Sequence, residues 1–278
     1  MEKMCEVLAV SRSGYYKWIQ EKAVVSNYQK RRRELIRLIT WHFIDSTNRY
    51  GSPKITKLLR NDGWIVSERR VGKLMKENGL RSCVSKKFRV TTTDSNHDQP
   101  IAPNVLNQNF KTTAPNKIWV TDITYIPCRE GRLYLASVLD LYTRKIVGWK
   151  LASRMTTDLV LAALDQAYES HNPPEGLIHH SDRGSQYASE EYREKLKQYG
   201  MTASMSRKGN CYDNACIESF HSVLKKEFIY CTKFRTKVQA QQKMFEYIEL
   251  FYNRKRIHGS LDYVSPVKFE AMYYSNMN

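Results

Sequence analysis

The chain has 278 residues, of which 41% are hydrophobic and 12% aromatic; this suffices for one large folded domain or two small ones and excludes a disordered tail. Its 45 lysines and arginines outnumber 28 acidic residues, and the net charge of +17 favours a polyanionic partner such as nucleic acid. Residues 1–115 hold 22 basic and 10 acidic residues, a net +12, whereas residues 116–278 hold 23 and 18, a net +5. The polyanion is therefore expected to bind mainly the first part of the chain.

Export signals and metal-binding cysteine patterns are not found in the sequence. No apolar run is long enough to span a bilayer, and the N-terminus lacks the apolar centre of a signal peptide. We therefore expect a cytoplasmic protein with no membrane partner, in which the six cysteines are free thiols. Cys211 and Cys216 are the closest pair, and no second pair completes a zinc site.

The first 80 residues are predicted to be helical. We interpret residues 1–30 as a partial helix-turn-helix, in which Ser11 caps a short aromatic helix. Residues 31–80 predict three short helices, because Pro53 suits the first turn of the second helix and Ser67 is a good N-cap for the third.

The third of these helices carries a basic outer face. Its outward side chains include Arg69, Arg70, Lys73 and Lys76. Three short helices ending in a basic helix fit a helix-turn-helix module whose last helix lies against DNA. A small helical bundle with a solvated charged face is the alternative, and the local charge excess favours DNA contact.

The pattern changes near residue 117. Residues 81–116 lack periodicity and are interpreted as a linker. Strand-like runs follow at 117–127, 132–141 and 144–151. Helices and strands then alternate, which predicts an α/β domain with a mixed central sheet over residues 117–232. Residues 233–278 are expected to form a helical extension that begins with a long helix over 236–253.

Three acidic residues lie in unusual local contexts. Asp122 lies among β-formers, where aspartate is normally depleted, Asp182 follows an apolar strand, and Glu218 lies in a predicted helix. The gaps between them are 59 and 35 residues. Carboxylates gathered at one point repel each other, and two divalent cations would remove that repulsion. Such a pair of ions drives phosphoryl transfer on nucleic acid.

Neighbouring residues offer alternatives to this assignment. Asp140 also ends an apolar strand, and we interpret it as a turn or hydrogen-bonding residue. His179 and His180 are further potential metal ligands, although histidines in such places are more often structural. Lys225 follows Glu218 by seven residues on the same helix face and is expected to point toward a DNA phosphate, with a solvated lysine as the alternative.

At these motifs the chain resembles the DDE transposases of the IS-three (insertion sequence three) family, specifically the product of the second open reading frame. The stretches that carry the resemblance are 119–125, 180–187, 206–220 and 252–261. The 35-residue second gap and the basic residue seven positions after the glutamate are hallmarks of that family, which shares its catalytic core with retroviral integrases. Ser222 stands where those integrases usually have another lysine, and the module at 31–80 replaces their N-terminal zinc module.

The resemblance implies a ribonuclease-H-like core, with a mixed five-stranded sheet flanked by helices, preceded by the small all-α helix-turn-helix module. It implies that Asp122, Asp182 and Glu218 bind two Mg²⁺ ions, with Asp122 as the bridging ligand, and that Mn²⁺ can substitute. The implied reaction is 3′-end cleavage of an insertion sequence followed by strand transfer. Two alternatives stay open: a catalytically inactive DNA-binding regulator of the element, and a hydrolytic nuclease of the same fold.

The implied partners are the terminal inverted repeats of the element and the target DNA. A homo-oligomer on DNA and an upstream-frame product, joined by ribosomal frameshifting, are also implied, within a bacterial cytoplasm where the bound protein associates with the nucleoid. Further DNA contacts are expected from Arg183, Arg207, Lys208, Arg254 and Arg256.

Overall fold

The computed structural model describes residues 2–23, 26–83 and 99–277, which divide into two compact units, one ending at Ser82 and one beginning at Cys83. None of the helices in these ranges has the length and apolar character to cross a membrane. The first unit is helical, with α1 at Glu2–Val7, α2 at Arg12–Ala23, α3 at Asn27–Asp45, α4 at Ser52–Asn61 and α5 at Glu68–Glu77.

Local capping sets the helix ends of the first unit as the sequence predicts. The Ser11 hydroxyl accepts a hydrogen bond from the Gly14 amide at the start of α2, and the Ser67 hydroxyl accepts one from the Arg70 amide at the start of α5. Pro53 lies in the first turn of α4, where its missing N–H costs nothing. Apolar side chains of α3, α4 and α5 form the buried core, including Leu35, Ile39, Ile55, Leu59, Val71 and Leu74.

The second unit is built on one mixed sheet, and within residues 99–277 that sheet has five strands in the order β3-β2-β1-β4-β5. The strands are β1 at Ile118–Ile126, β2 at Leu133–Asp140, β3 at Ile146–Ala152, β4 at Ile178–Ser181 and β5 at Thr202–Met205. The helices are α6 at Thr157–His171, α7 at Ser185–Ala188, α8 at Glu190–Gln198, α9 at Ala215–Glu227, α10 at Lys237–Phe245 and α11 at Pro266–Ser275.

The strand directions give the sheet its ribonuclease-H-like topology. β1, β2 and β3 form an antiparallel meander, whereas β4 pairs in parallel with β1 and β5 in parallel with β4. β1 is therefore the central strand. Helix α6 packs against β3 so closely that a Cβ atom on Gly148 would lie 2.2 Å from the carbonyl oxygen of Ala163. The predicted fold class is confirmed.

Two segments differ from their expected form. Residues 99–116, expected to belong to a linker, run beside β5, where the amides of Val105 and Leu106 donate to the Ser204 hydroxyl at 3.0 and 3.1 Å. Residues 84–98 of that expected linker lie outside the described residues. At the other end, α10 continues into a π-helix over Glu246–Tyr252 rather than an uninterrupted α-helix, and α11 follows after it.

Candidate active site

Asp122 lies in the middle of the central strand β1, opposite Ser137 of β2. One carboxylate oxygen, Oδ1, accepts a hydrogen bond of 2.8 Å from the Ile123 amide. The other, Oδ2, lies 3.3 Å from Nδ1 of His221, and the side chain remains 20% exposed. The strand thus presents a carboxylate that is hydrogen-bonded at one oxygen, has a histidine nitrogen beside the other, and is still reachable from solvent.

Asp182 follows the neighbouring parallel strand β4. Val120 lies opposite His180 in the β1–β4 register, so two residues further along Asp122 and Asp182 reach the same level of the sheet. Oδ1 of Asp182 accepts a hydrogen bond of 2.9 Å from the Gly184 amide, which closes a tight turn into α7.

Tyr187 connects the two aspartates. Its buried hydroxyl lies 3.2 Å from Oγ1 of Thr121. Burial raises the pKa of Tyr187 well above its usual range, and the charges of Tyr192, Asp122 and Asp182 raise it further. Both aspartates therefore lie within electrostatic reach of one buried hydroxyl group.

Helix α9 adds the third acid. The side-chain amide of Asn214 donates to the carbonyl of Thr121 at 3.0 Å, which fastens the start of α9 beside Asp122. Glu218 lies in the first turn of α9, where the helix dipole favours a carboxylate. Desolvation and then the charge of Asp122 raise the pKa of Glu218. Glu218 and Asp122 are therefore close enough to repel each other.

Lys225 borders this acidic site. Its ammonium nitrogen lies 5.0 Å from the centre of the Tyr125 ring. Half-burial lowers the pKa of Lys225, and the charge of Asp122 opposes that shift. The lysine is thus held within electrostatic reach of Asp122.

The three acids lie in neighbouring parts of the fold, on β1, after β4 and on α9, but they are not arranged here as a metal-binding cluster. Within residues 2–23, 26–83 and 99–277, no group of three or more His, Cys, Asp or Glu side chains is arranged to hold a metal ion. The rival acid Asp140 has a structural part, as predicted, because it accepts hydrogen bonds from Asn116 and from the backbone and hydroxyl of Thr143. His180 is likewise held between the hydroxyls of Ser204 and Ser206.

The predicted DNA-contact residues divide into exposed and engaged side chains. Arg69, Arg70, Lys73, Lys76, Lys208 and Arg254 are exposed. Arg183 is half-buried and donates through Nε to the carbonyl of Ser206. Arg207 makes an ion pair of 2.7 Å with the buried carboxylate of Asp213.

Arg256 requires a correction, because the structure contradicts its predicted contact with DNA. Its guanidinium group is buried in a two-point ion pair with Glu227. A side chain so enclosed is not available to a phosphate.

Several residues of the site were not found from the sequence. His221 and Asn214 lie on or beside the Glu218 helix, but their partners on β2 and β1 are 84 and 93 residues away. Asp213 receives hydrogen bonds from Asn104, Gln108 and Arg207, the first two more than 100 residues distant. Local sequence patterns carry no signal for such pairings, although the closeness of His221 to Glu218 was visible.

Comparison with known protein families agrees with this architecture. Models described as "Integrase core domain" match residues 112–211 and 218–273, and one described as "HTH-like domain" matches residues 30–88. The fold and the site thus define an integrase-core protein that carries a helix-turn-helix-like domain.

Individual relatives narrow the class. The chain is 46% identical to the insertion element IS600 uncharacterized 31 kDa protein of Shigella sonnei, over 98% of each chain. It is 46% identical to the transposase for insertion sequence element IS904 of Lactococcus lactis, over 88% of this chain and 96% of the relative. It is 40% identical to transposase InsF for insertion sequence IS3A of Escherichia coli, over 97% and 93%. The chain belongs to the IS3 family of DDE-type transposases.

Solved structures with a similar outline are more distant in sequence. A simian T-cell lymphotropic virus intasome in complex with a PP2A regulatory subunit matches at 13% identity and a TM-score of 0.49, covering 85% of this chain and 74% of that one. The HTLV-2 integrase catalytic core domain in complex with magnesium matches at 16% identity and a TM-score of 0.45, covering 58% and 99%.

Proposed function

We propose that Asp122, Asp182 and Glu218 are the catalytic carboxylates of a transposase that cuts the 3′ ends of its element and joins them to other DNA. The observation that supports this most is geometric: His221, one helical turn from Glu218, has Nδ1 3.3 Å from Oδ2 of Asp122, and the β1–β4 register brings Asp182 to the level of Asp122. This placement supports a site to which acids from β1, the end of β4 and α9 contribute.

The donor set suits a hard divalent cation. Carboxylate oxygens are the ligands that Mg²⁺ prefers, and the repulsion between Asp122 and Glu218 is what a bound cation would offset. We propose that Asp122, Asp182 and Glu218 would hold two Mg²⁺ ions and that Mn²⁺ would substitute. When bound, the ions would activate the attacking oxygen and stabilise the leaving oxygen.

The proposed reaction consists of two successive displacements at phosphorus. In the first, water attacks the phosphodiester at the element end, the bond from phosphorus to the 3′ oxygen breaks, and a 3′ hydroxyl leaves. In the second, that hydroxyl attacks another phosphodiester in line and displaces its 3′ oxygen. Lys225 would hold a phosphate of the DNA end, and the β1 backbone keeps Asp122 in place.

The test uses a labelled duplex ending in the element's terminal repeat, incubated with Mg²⁺ and a second duplex. The parent protein should join the two, while Glu218→Gln should bind the end yet make no joined product. Glu191→Gln, the same chemical change on the exposed start of α8, is the matched control and should join normally. Cutting without joining would identify a nuclease, and end-binding without either reaction a regulator. Joining by Glu218→Gln at the parent rate would exclude the assignment.

We also propose that the working assembly is a homo-oligomer on two element ends and includes the upstream-frame product. The exposed basic face of α5 and the HTH-like match support contact with the ends. Light scattering of the protein with and without repeat DNA, and with the upstream-frame product added, tests the assembly. A monomer under all of these conditions would argue against it.

A further inference from the structure

One buried histidine links strands β1 and β2 to α9, the helix that carries Glu218. Nε2 of His221 lies 2.8 Å from the hydroxyl of Ser137 on β2. Nδ1 of the same ring lies 3.3 Å from Oδ2 of Asp122 on β1, and the side chain is 6% exposed. Ser137 and Asp122 are directly opposite in the antiparallel register. The ring therefore spans a cross-strand pair from above.

The chemistry of the three groups determines where the ring hydrogen lies. A carboxylate only accepts hydrogen bonds, whereas a hydroxyl can donate or accept. Nδ1 is the ring nitrogen that faces the carboxylate, so a hydrogen on Nδ1 would point toward Asp122 and would leave Nε2 to accept from the Ser137 hydroxyl.

This arrangement restrains the carboxylate of Asp122 from two sides. Oδ1 accepts a hydrogen bond from the Ile123 amide, and Oδ2 lies 3.3 Å from Nδ1 of His221, so each carboxylate oxygen has a neighbouring nitrogen that can oppose its rotation. His221 also lies one helical turn from Glu218, on the same helix. A movement of α9 that displaced Glu218 would therefore break the contact with Asp122.

We propose that His221 is a positioning residue, which donates from Nδ1 to Asp122 and so sets the relative placement of Asp122 and Glu218. This inference rests on the proposed function of the two acids. A residue that orients a metal-ligating carboxylate in this way typically changes metal affinity by about 10–100-fold when it is replaced. A residue that only packs the helix would change stability without that effect.

Two replacements of His221 distinguish a role as hydrogen-bond donor to Asp122 from a role in packing α9. In His221→Asn the amide nitrogen stands near the position of Nδ1 and can still donate to Asp122. In His221→Gln the amide stands near the position of Nε2, so the hydrogen bond with Ser137 is retained and the donor to Asp122 is removed. Both variants keep a neutral polar side chain in the same buried place, and each serves as the control for the other.

Three measurements on the full chain test the proposal. Nitrogen-15 NMR of labelled histidines in the metal-free protein should show the His221 hydrogen on Nδ1, with the signal assigned by its loss in His221→Asn. Calorimetric titration with Mn²⁺ in the absence of DNA should give about tenfold weaker binding in His221→Gln than in His221→Asn. End joining at limiting Mn²⁺ should likewise be slower in His221→Gln than in His221→Asn. Thermal unfolding should show similar stability in the two variants.

The opposing results are equally definite. A hydrogen on Nε2, or equal Mn²⁺ affinities in the two variants, would overturn the positioning role. Failure of the proposed function gives a different signature, because the parent protein itself would then neither bind Mn²⁺ nor join ends. The NMR result would still show whether the ring donates to Asp122.

Discussion

The guanidinium group of Arg256 donates two hydrogen bonds of 2.8 Å to the carboxylate of Glu227, one from Nε and one from Nη2. The two side chains are only 8% and 9% exposed. Glu227 is the last residue of α9, the helix whose first turn holds Glu218. The segment after the π-helix thus fastens the far end of the helix that carries the third acid.

Removing one partner of this pair should be strongly destabilising. Arg256→Gln leaves the Glu227 charge buried without its counterion, and we expect a loss of about 3–5 kcal/mol in the free energy of unfolding. The double variant Arg256→Met with Glu227→Leu should recover much of that loss, since it buries no charge. Urea unfolding measures both. Arg254→Gln, which changes an exposed arginine nearby, should stay within about 0.5 kcal/mol of the parent, and a similar loss there would refute the explanation.

Acid should weaken the central sheet through His179. Burial, and then the neighbouring His180, lowers the pKa of His179 from 6.5 to about 3. In the unfolded chain the His179 imidazole therefore binds a proton near pH 6.5, whereas in the folded chain it binds one only near pH 3. This contribution to stability is fully present above pH 6.5 and is lost as the pH falls from 6.5 toward 3, by up to about 1.4 kcal/mol per pH unit.

The replacement His179→Gln removes this titration and keeps an amide near the Tyr192 hydroxyl, which lies 3.2 Å from Nε2. The free energy of unfolding should then fall less steeply between about pH 6 and pH 4, because unfolding takes up roughly one proton fewer. Urea unfolding at each pH gives the slope of the free energy of unfolding against pH, with measurements at about pH 8 as the reference. Hydrogen exchange of the β1 and β4 peptides shows whether the loss of stability lies in these strands. An unchanged slope would show that His179 is not the titrating group.

The close approach of α6 to β3 predicts a strict requirement for glycine at position 148. A methyl group there would lie 2.2 Å from the Ala163 carbonyl oxygen and 2.7 Å from Cβ of Ala167, so the helix would have to move. We expect Gly148→Ala to cost about 3 kcal/mol or more. Gly259→Ala is the control, because the added methyl group meets nothing within 4 Å. Equal thermal stability of the two variants would contradict the close approach.

The basic face of α5 predicts a salt-dependent interaction with DNA. Replacing Arg69 or Lys73 with glutamine should weaken binding to the terminal repeat and lower the slope of log affinity against log salt by about 0.9 for each phosphate that is no longer neutralised. Arg37→Gln, at an exposed position of α3, makes the same change in net charge and is the control. Fluorescence anisotropy between about 50 and 200 mM salt, a range in which such interactions are typically resolved, measures the slope. An equal weakening in the control would indicate attraction by net charge alone.

The helices and strands were largely predictable because their signals are local. Ser67 caps α5 and Pro53 lies in the first turn of α4, as the sequence indicates, and each of these signals acts within a few residues. Helix α11 lies within the helical extension expected at 233–278 but was not singled out, since Pro266 is its one buried residue and no apolar stripe marks a buried face. The π-helix was also missed. Asn253, directly after it, exchanges hydrogen bonds with Ile146 of β3, a partner that periodicity does not reveal.

The sequence by itself determined the family and led to the prediction of the three acids, because motifs and spacings are read along the chain. Tertiary structure alone decided what each charged side chain does. Arg254 and Arg256 look alike in a basic turn, yet one is exposed and the other is paired with Glu227, 29 residues earlier. His221 comes within 3.3 Å of Asp122 only when α9 lies over β1. The free energy of a charge depends on its burial and its partners, and both are set by folding.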